Sequence, residues 1–263
     1  MRVARFVLSL LLVFASSSRL NSQESTATAA QRDPQAVTIL NQVLAASGGS
    51  TAVASIQDFT ASGSIIYFWA GSEVQGTATV RALATTSFRV DANLPQGTRS
   101  WVASYGNGTI RNTDGSLARI PSNNTQNLGA LTFPLLKVAA ALNNTSLSIQ
   151  YLSLTNFSGH QVHVIHVQRG LSSSTDIISH LSAIDFLIDA TTYQIILVRD
   201  SFHSAERAMQ DMLHEIEFSD FRPTGGCLVP FSITERVGGQ QTWTLQLSAI
   251  SFNTGLTDAN FQL

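Results

Sequence analysis

Residues 57–105 read QDFTASGSIIYFWAGSEVQGTATVRALATTSFRVDANLPQGTRSWVASY, and their hydrophobic pattern repeats every second position. In Phe88-Arg89-Val90-Asp91 the alternation is plain, apolar on one face and charged on the other. A strand with one face on a core and one in water needs that period, because successive side chains point to opposite sides of the sheet. The runs Gln57–Trp69, Glu73–Leu83, Ser87–Ala92 and Gly97–Tyr105 are parted by turn formers: Ala70-Gly71-Ser72, Leu94-Pro95-Gln96-Gly97 and Gly106-Asn107-Gly108. A short hairpin, Thr109–Arg111 to Leu117–Ile120, follows across Asp114-Gly115, a dipeptide that suits tight hairpins.

The same period returns downstream. It covers Leu147–Thr155, Gln161–Arg169, Ala183–Asp189, Thr192–Phe202, Leu213–Phe221, Leu228–Arg236 and Thr242–Phe252, mostly with short joins. Residues Ala205–Ile216 fit both a helical spacing (Met209, Met212, Leu213, Ile216) and a strand (Met212, His214, Ile216, Phe218); the second half is taken as strand and Ser204–Gln210 as a turn. The pattern predicts a mainly β, α+β domain. Its centre is a single curved antiparallel sheet of about eleven strands in meander order, or an open barrel, with an N-terminal helix and a second, apolar helical segment.

Two helices interrupt the strands. Asp33-Pro34 opens the first, with Asp as N-cap and Pro at the first helical position. Ala36, Val37, Leu40, Val43 and Leu44 recur at three- and four-residue spacing, and Gly48-Gly49 stops the helix. The second lies in Leu128–Leu142, LGALTFPLLKVAAAL, where Lys137 is the single charge and Pro134 stands near the helix start. A helix apolar on all sides must be buried or must cover something apolar. It is a core helix under the sheet or a lid over a cavity, and periodicity does not choose between them.

Before the helix, Arg2 and Arg5 precede an apolar run from Phe6 to Ala15 and a small polar stretch, Ser16-Ser17-Ser18. That is the layout of a cleavable secretory signal, and the run is far shorter than the roughly twenty residues of a bilayer span. Residues 1–22 are expected to be a signal peptide, 23–33 a flexible linker and 34–263 one domain, exported to the periplasm or secreted. Only 12% of the 263 residues are charged and the formal net charge is -2, which gives no electrostatic reason to expect nucleic acid as a partner. Cys227 is the only cysteine, so no internal disulfide can form and stability must come from the core.

Catalytic signatures are absent: no G-x-S-x-G, no His-Glu-x-x-His and no phosphate-cradling glycine loop occurs. On a strand, His160 and His166 share a face about 20 Å apart while His163 points the other way, so these three do not make a metal site by themselves. His180, His203 and His214 stand alone in the sequence. Glu215 and Glu217 share one strand face, which a solvated surface explains better than acid–base chemistry. Neither a catalytic residue, nor a metal site, nor a cofactor is expected, and the chain is read as no enzyme; an envelope hydrolase, the less favoured alternative, would need polar residues clustered in a cleft, for example His163 or His166 with Glu215 or Glu217.

The order of these features resembles the LolA/LolB-like superfamily of periplasmic carriers and sorting factors for outer-membrane lipoproteins, in its uncharacterised exported members. The resemblance rests on the leader, the capped helix ending in Gly48-Gly49, Phe88-Arg89-Val90 before Gly97-Thr98-Arg99, and the apolar helical insert. It continues through Ile184–Asp189 leading by Ala190–Tyr193 into the next strand, Phe218–Phe221 leading by Gly226 to Val229-Pro230, and Phe252-Asn253 running to Asp258–Leu263. It implies a half-barrel around a hydrophobic cavity that takes a lipid or lipoprotein acyl chain, with the apolar segment Leu128–Leu142 as part of its lid, transient membrane contact and no enzymatic activity. The residues it would place in the cavity or lid are Phe68, Trp101, Phe133, Leu135, Leu136, Val138, Tyr151, Phe186 and Trp243. The alternative is a structural or protein-interaction domain of the cell envelope whose core is filled by its own side chains, with another envelope protein as partner.

Overall fold

The computed structural model describes residues 30–69, 71–125, 127, 133–170, 177–204, 207 and 209–263. The export leader and most of the linker expected at residues 1–33 lie outside them, as do Leu128–Thr132 at the start of the apolar segment.

Helix α1 (Pro34–Ala46) forms where its caps predict: the Asp33 carboxylate accepts hydrogen bonds from the amides of Gln35 (2.8 Å) and Ala36 (3.4 Å). Its apolar stripe, Ala36, Ile39, Leu40, Val43 and Leu44, is buried. At its end Gly48 has φ +113°, and a Cβ there would lie 2.0 Å from the Gly226 carbonyl oxygen, so only glycine lets the helix end meet that hairpin. Helix α2 (Ser50–Ala54) turns the chain into the sheet.

One antiparallel sheet then takes up the chain. Its strands are β1 (Asp58–Trp69), β2 (Ser72–Leu83), β3 (Ser87–Leu94), β4 (Gly97–Ser104), β5 (Asn107–Arg111) and β6 (Leu117–Ile120), followed by β7 (Leu147–Phe157) and β8 (His160–Arg169). They continue as β9 (Ile184–Asp189), β10 (Ile195–His203), β11 (Asp211–Thr224), β12 (Cys227–Val237) and β13 (Gln240–Phe252). Two more helices, α3 (Pro134–Asn143) and α4 (Ile177–Leu181), lie between strands. The order across the sheet is β6-β5-β4-β3-β2-β1-β13-β12-β11-β10-β9-β8-β7, a meander in which the first and last strands pair at the centre.

The sheet has thirteen strands where about eleven were expected. The two more are β5 and β6, the arms of the hairpin expected at Thr109–Arg111 and Leu117–Ile120, which join and prolong the sheet: β5 pairs with β4 from Ser100↔Arg111 to Ser104↔Asn107, and β6 with β5. Gly108 allows this close pairing, since a Cβ there would come within 2.7 Å of Ile120. The ambiguous segment before Ile216 is strand from Asp211 onward.

The sheet is open, with β6 and β7 at its edges. Strand β6 is only four residues long, and the backbone of Gln31 and Asp33 pairs with Ile149 of β7 (2.8 Å each way), which shields that edge. Arg32 between them donates to the carbonyls of Ala141, Leu142 and Asn144 at 2.8–3.2 Å, placing a cation where the C-terminal end of α3 presents bare carbonyls. The core lies on the inner face, where α1, α2 and α3 pack against alternate residues of nearly every strand. No helix among the described residues is long and apolar enough to cross a membrane.

The C-terminal tail is held by Asp58, whose carboxylate accepts from the amides of Thr254 (2.6 Å), Gly255 (3.0 Å) and Leu256 (3.3 Å) and from the Thr254 hydroxyl (2.7 Å). Burial by itself raises the Asp58 carboxyl, but these hydrogen bonds outweigh it and hold the group below the usual carboxylate range. A depressed folded value adds stability above the unfolded value near 3.9 that is lost as pH falls through the folded one. Asp58→Ala is expected to cost about 1–3 kcal/mol at pH 7 in urea unfolding, and to lose less further stability than wild type on acidification below pH ~4.

Candidate functional site

The inner face is filled unevenly. At the Phe59 end of β1, the Phe133 ring stands edge-on to Phe59 (centroids 5.7 Å) and beside Phe252 (5.5 Å), and α3 follows from it. At the Tyr67 end, eight residues or about 26 Å further along the strand, the face opens into a pocket of about 430 Å³. Its walls are the aromatic rings of Tyr67, Phe68, Trp101, Phe202 and Trp243, with Ile110 and Ile120. Tyr67 and Trp101 pack edge to face at 6.0 Å, and Trp101 lies 6.3 Å from Trp243. This is the geometry of a ligand site: concave, mainly apolar, with a few polar groups.

The polar groups are Arg99, Arg119, Glu235, Thr242 and the amide of Asn124. The Arg99 guanidinium stands 5.8 Å from the centre of the Tyr67 ring. Burial pushes the Tyr67 phenol far up, so it is neutral at every physiological pH, and its hydroxyl is buried without a hydrogen bond. Asn124, in the 3-10 turn Ser122–Asn124 that follows β6, donates to the His203 carbonyl (3.0 Å) and accepts from the His203 amide (2.7 Å). The edge of the sheet at β6 is thereby tied to β10 across the mouth of the pocket.

Glu235 also belongs to a charged triad that runs from the pocket wall to the strands behind it and that the sequence does not reveal. His214 of β11 is 2% exposed in its side chain; its Nδ1 is 2.5 Å from Asp200 of β10 and its Nε2 3.1 Å from Glu235 of β12. Phe202 stacks on the imidazole at 3.9 Å, and the Thr242 hydroxyl donates to Glu235. Asp200 also acts on Lys137 of α3: burial lowers the Lys137 ammonium, and the charge of Asp200 opposes that fall. Burial pulls the His214 imidazole down too, but its two carboxylate partners outweigh burial and raise it to about 9. His214 is therefore charged at pH 7, a cation between two anions.

A signal for this cluster is present in each strand. The inward positions of β12 run Cys227, Val229, Phe231, Ile233 and then Glu235; those of β11 run Phe218, Ile216 and then His214; β10 changes from Val198 to Asp200. In each case a charged or titratable residue replaces an apolar one; the register sets Asp200 directly opposite His214, and Glu235, opposite Ile216, is the diagonal neighbour of His214 on the same face.

Of the residues expected in a cavity or lid, Phe68, Trp101 and Trp243 line this pocket. Phe133, Leu135, Leu136 and Val138 belong to the buried core around α3, and Phe186 to the same core from β9. Tyr151 packs against that core from β7 and its hydroxyl lies 3.2 Å from His163 Nδ1. None of the described residues of α3 lines the pocket. The other histidines are spread as the strand period predicts: His160 and His166 each meet an aspartate of β9, Asp189 at 2.7 Å and Asp185 at 2.6 Å, while His163 stacks on Tyr193. Glu215 and Glu217 pair across strands with Arg199 (2.8 Å) and Arg236 (2.6 Å), on the face away from the core.

No protein-family model and no curated protein matches the sequence. Among solved structures, the chain is similar to a domain from Vibrio parahaemolyticus classed with outer membrane lipoprotein-sorting proteins. The two share 14% identity, the match covers 87% of this chain and 96% of that one, and the TM-score is 0.52. A LolA superfamily protein from Nitrosomonas europaea matches at 12% identity over 87% of this chain and 97% of its own, with a TM-score of 0.53. The chain has a LolA-like fold.

The raised His214 value gives the pH dependence its sign. Stability from the triad is fully present below the unfolded value near 6.5 and is lost as pH rises through about 9. Between pH 6.5 and 9.5, urea unfolding of the wild type should lose on the order of 3 kcal/mol more than the double variant Asp200→Asn, Glu235→Gln, in which His214 has no anionic partner.

Proposed function

We propose that this protein is an exported, non-enzymatic carrier that binds an acyl chain of a lipid or lipoprotein in the pocket between Trp101 and Trp243. The observation that carries this reading is the apolar pocket of about 430 Å³ at the Tyr67 end of the inner face, within the size range of small-molecule sites. The LolA-like fold supports it, since one similar structure is classed with lipoprotein-sorting proteins. In this reading residues 1–22 are the export signal, and a tether leads from Gln23 to the point where Gln31 joins β7.

Binding would be driven by burial. Each methylene taken from water into the aromatic walls contributes about 0.8 kcal/mol, so six of them supply about 5 kcal/mol before the cost of ordering the chain. Arg99, Arg119 and the unbonded Tyr67 hydroxyl stand at the same pocket, and they favour a ligand with an apolar body and an anionic or oxygen-rich end. The Asp200–His214–Glu235 triad, whose Glu235 reaches the pocket, holds Phe202 and Thr242 in position. Because α3 fills the inner face at the other end, the ligand enters at the Asn124 mouth and opening there governs loading and release.

Delipidated protein should take up a fluorescent fatty acid with one site per chain and shift the emission of Trp101 and Trp243 as it does so. Trp101→Ala should weaken uptake at least tenfold with unfolding little changed, while Leu152→Ala, an exposed control 52% accessible, should leave it intact. Absence of uptake, together with native mass spectra that show no lipid on protein taken from its own envelope, would favour the reading of a filled domain that binds another protein.

A further inference from the structure

On the outer face, away from the pocket wall, three metal-ligating side chains converge that no part of the carrier reading uses. His203 ends β10 and Asp211 begins β11, directly opposite each other in register; His180 comes from α4. His180 Nε2 lies 2.9 Å and His203 Nδ1 3.1 Å from the same Asp211 oxygen, Oδ1. The two imidazoles face each other at 5.1 Å between centroids, and all three ligand atoms fall within 4.8 Å of one another.

Hydrogen bonding does not account for the cluster. His180 makes a well-directed bond to Asp211, but His203 Nδ1, in a side chain 2% exposed, is close to that oxygen without bonding geometry and has no other partner. A buried unsatisfied ring nitrogen is costly. Two imidazoles and one carboxylate are a donor set for first-row transition ions and not for calcium or magnesium, which take oxygen ligands.

We infer that His180, His203 and Asp211 form a binding site for a divalent transition-metal ion of the zinc type. Around tetrahedral zinc, with bonds near 2.0–2.1 Å, ligand atoms stand about 3.3 Å apart. The two distances to Asp211 are already close to that, and the imidazole nitrogens need an approach of roughly 1.5 Å at most. His180 and Asp211 are 30% and 46% exposed in their side chains, which leaves an open fourth position for water. The ion would bolt α4 to the end of the β10–β11 hairpin. Because His203 is also clamped by Asn124 through both its backbone groups, the ion would stiffen the strand end that borders the pocket mouth.

The test uses tag-free, chelator-stripped protein and the metal alone. Zinc titrated by calorimetry should bind at one equivalent per chain, and cobalt(II) should give the visible bands of a four- or five-coordinate site that zinc abolishes. His180→Gln and Asp211→Asn, both at partly exposed positions, should each weaken binding at least tenfold and remove the zinc-induced rise in Tm. His160→Gln, at the separate Asp189 pair, should change neither. Fatty-acid uptake is measured apart, so failure of the carrier reading leaves this result standing. Lack of a stoichiometric site, or a site untouched by His180→Gln and Asp211→Asn, overturns the inference and leaves a proton-mediated His–Asp–His contact.

Discussion

A sheet of thirteen strands that never closes must hide one apolar face and two edges from water, and the rest of the molecule is arranged around that demand. Pairing β1 with β13 puts both ends of the chain's β region at the sheet centre and moves the edges to β6 and β7. The shortness of β6 and the backbone of Gln31 and Asp33 beside β7 protect those edges. The inner face is covered by helices from three places in the chain, and Arg32 joins the edge to the cover by binding the carbonyls that end α3.

The cover is incomplete. Helices fill the Phe59 end of β1; the Tyr67 end keeps a pocket with aromatic walls. Next to it, where neighbouring strands supply Ile216, Phe218 and Ile233 to the core, the chain spends three inward positions on Asp200, His214 and Glu235. Such a buried group is stable only when each charge is matched. The histidine between two carboxylates, with Lys137 beyond Asp200, satisfies that condition. The result is a stiff, polar backing to an apolar pocket.

Much of the fold was legible because strand and helix periods are local. The Phe88–Asp91 alternation, the Asp33-Pro34 cap and the Gly48-Gly49 stop each act within a few residues, and each appears where the local rule puts it. The count of strands was short because the hairpin of β5 and β6, legible at Asp114-Gly115, joins the larger sheet only through the pairing of β5 with β4, a tertiary contact that its own sequence does not specify. The site was less legible. Phe68, Trp101 and Trp243 meet at the pocket, but nothing in their spacing separates them from Phe133 or Phe186, which are equally apolar and wholly buried.

By itself the sequence determined the class of fold, the strand faces, the first helix and the scatter of His160, His163 and His166, since all of these follow from side-chain direction along one segment. Tertiary structure alone decided which apolar residues line a space and which fill one, because that depends on how far the helices reach across the sheet. It also decided that His214 meets Asp200 and Glu235, and that His180 and His203 meet at Asp211. Those residues are separated by loops and strands of different length, and only inter-strand register and the packing of α4 bring their side chains within hydrogen-bond reach.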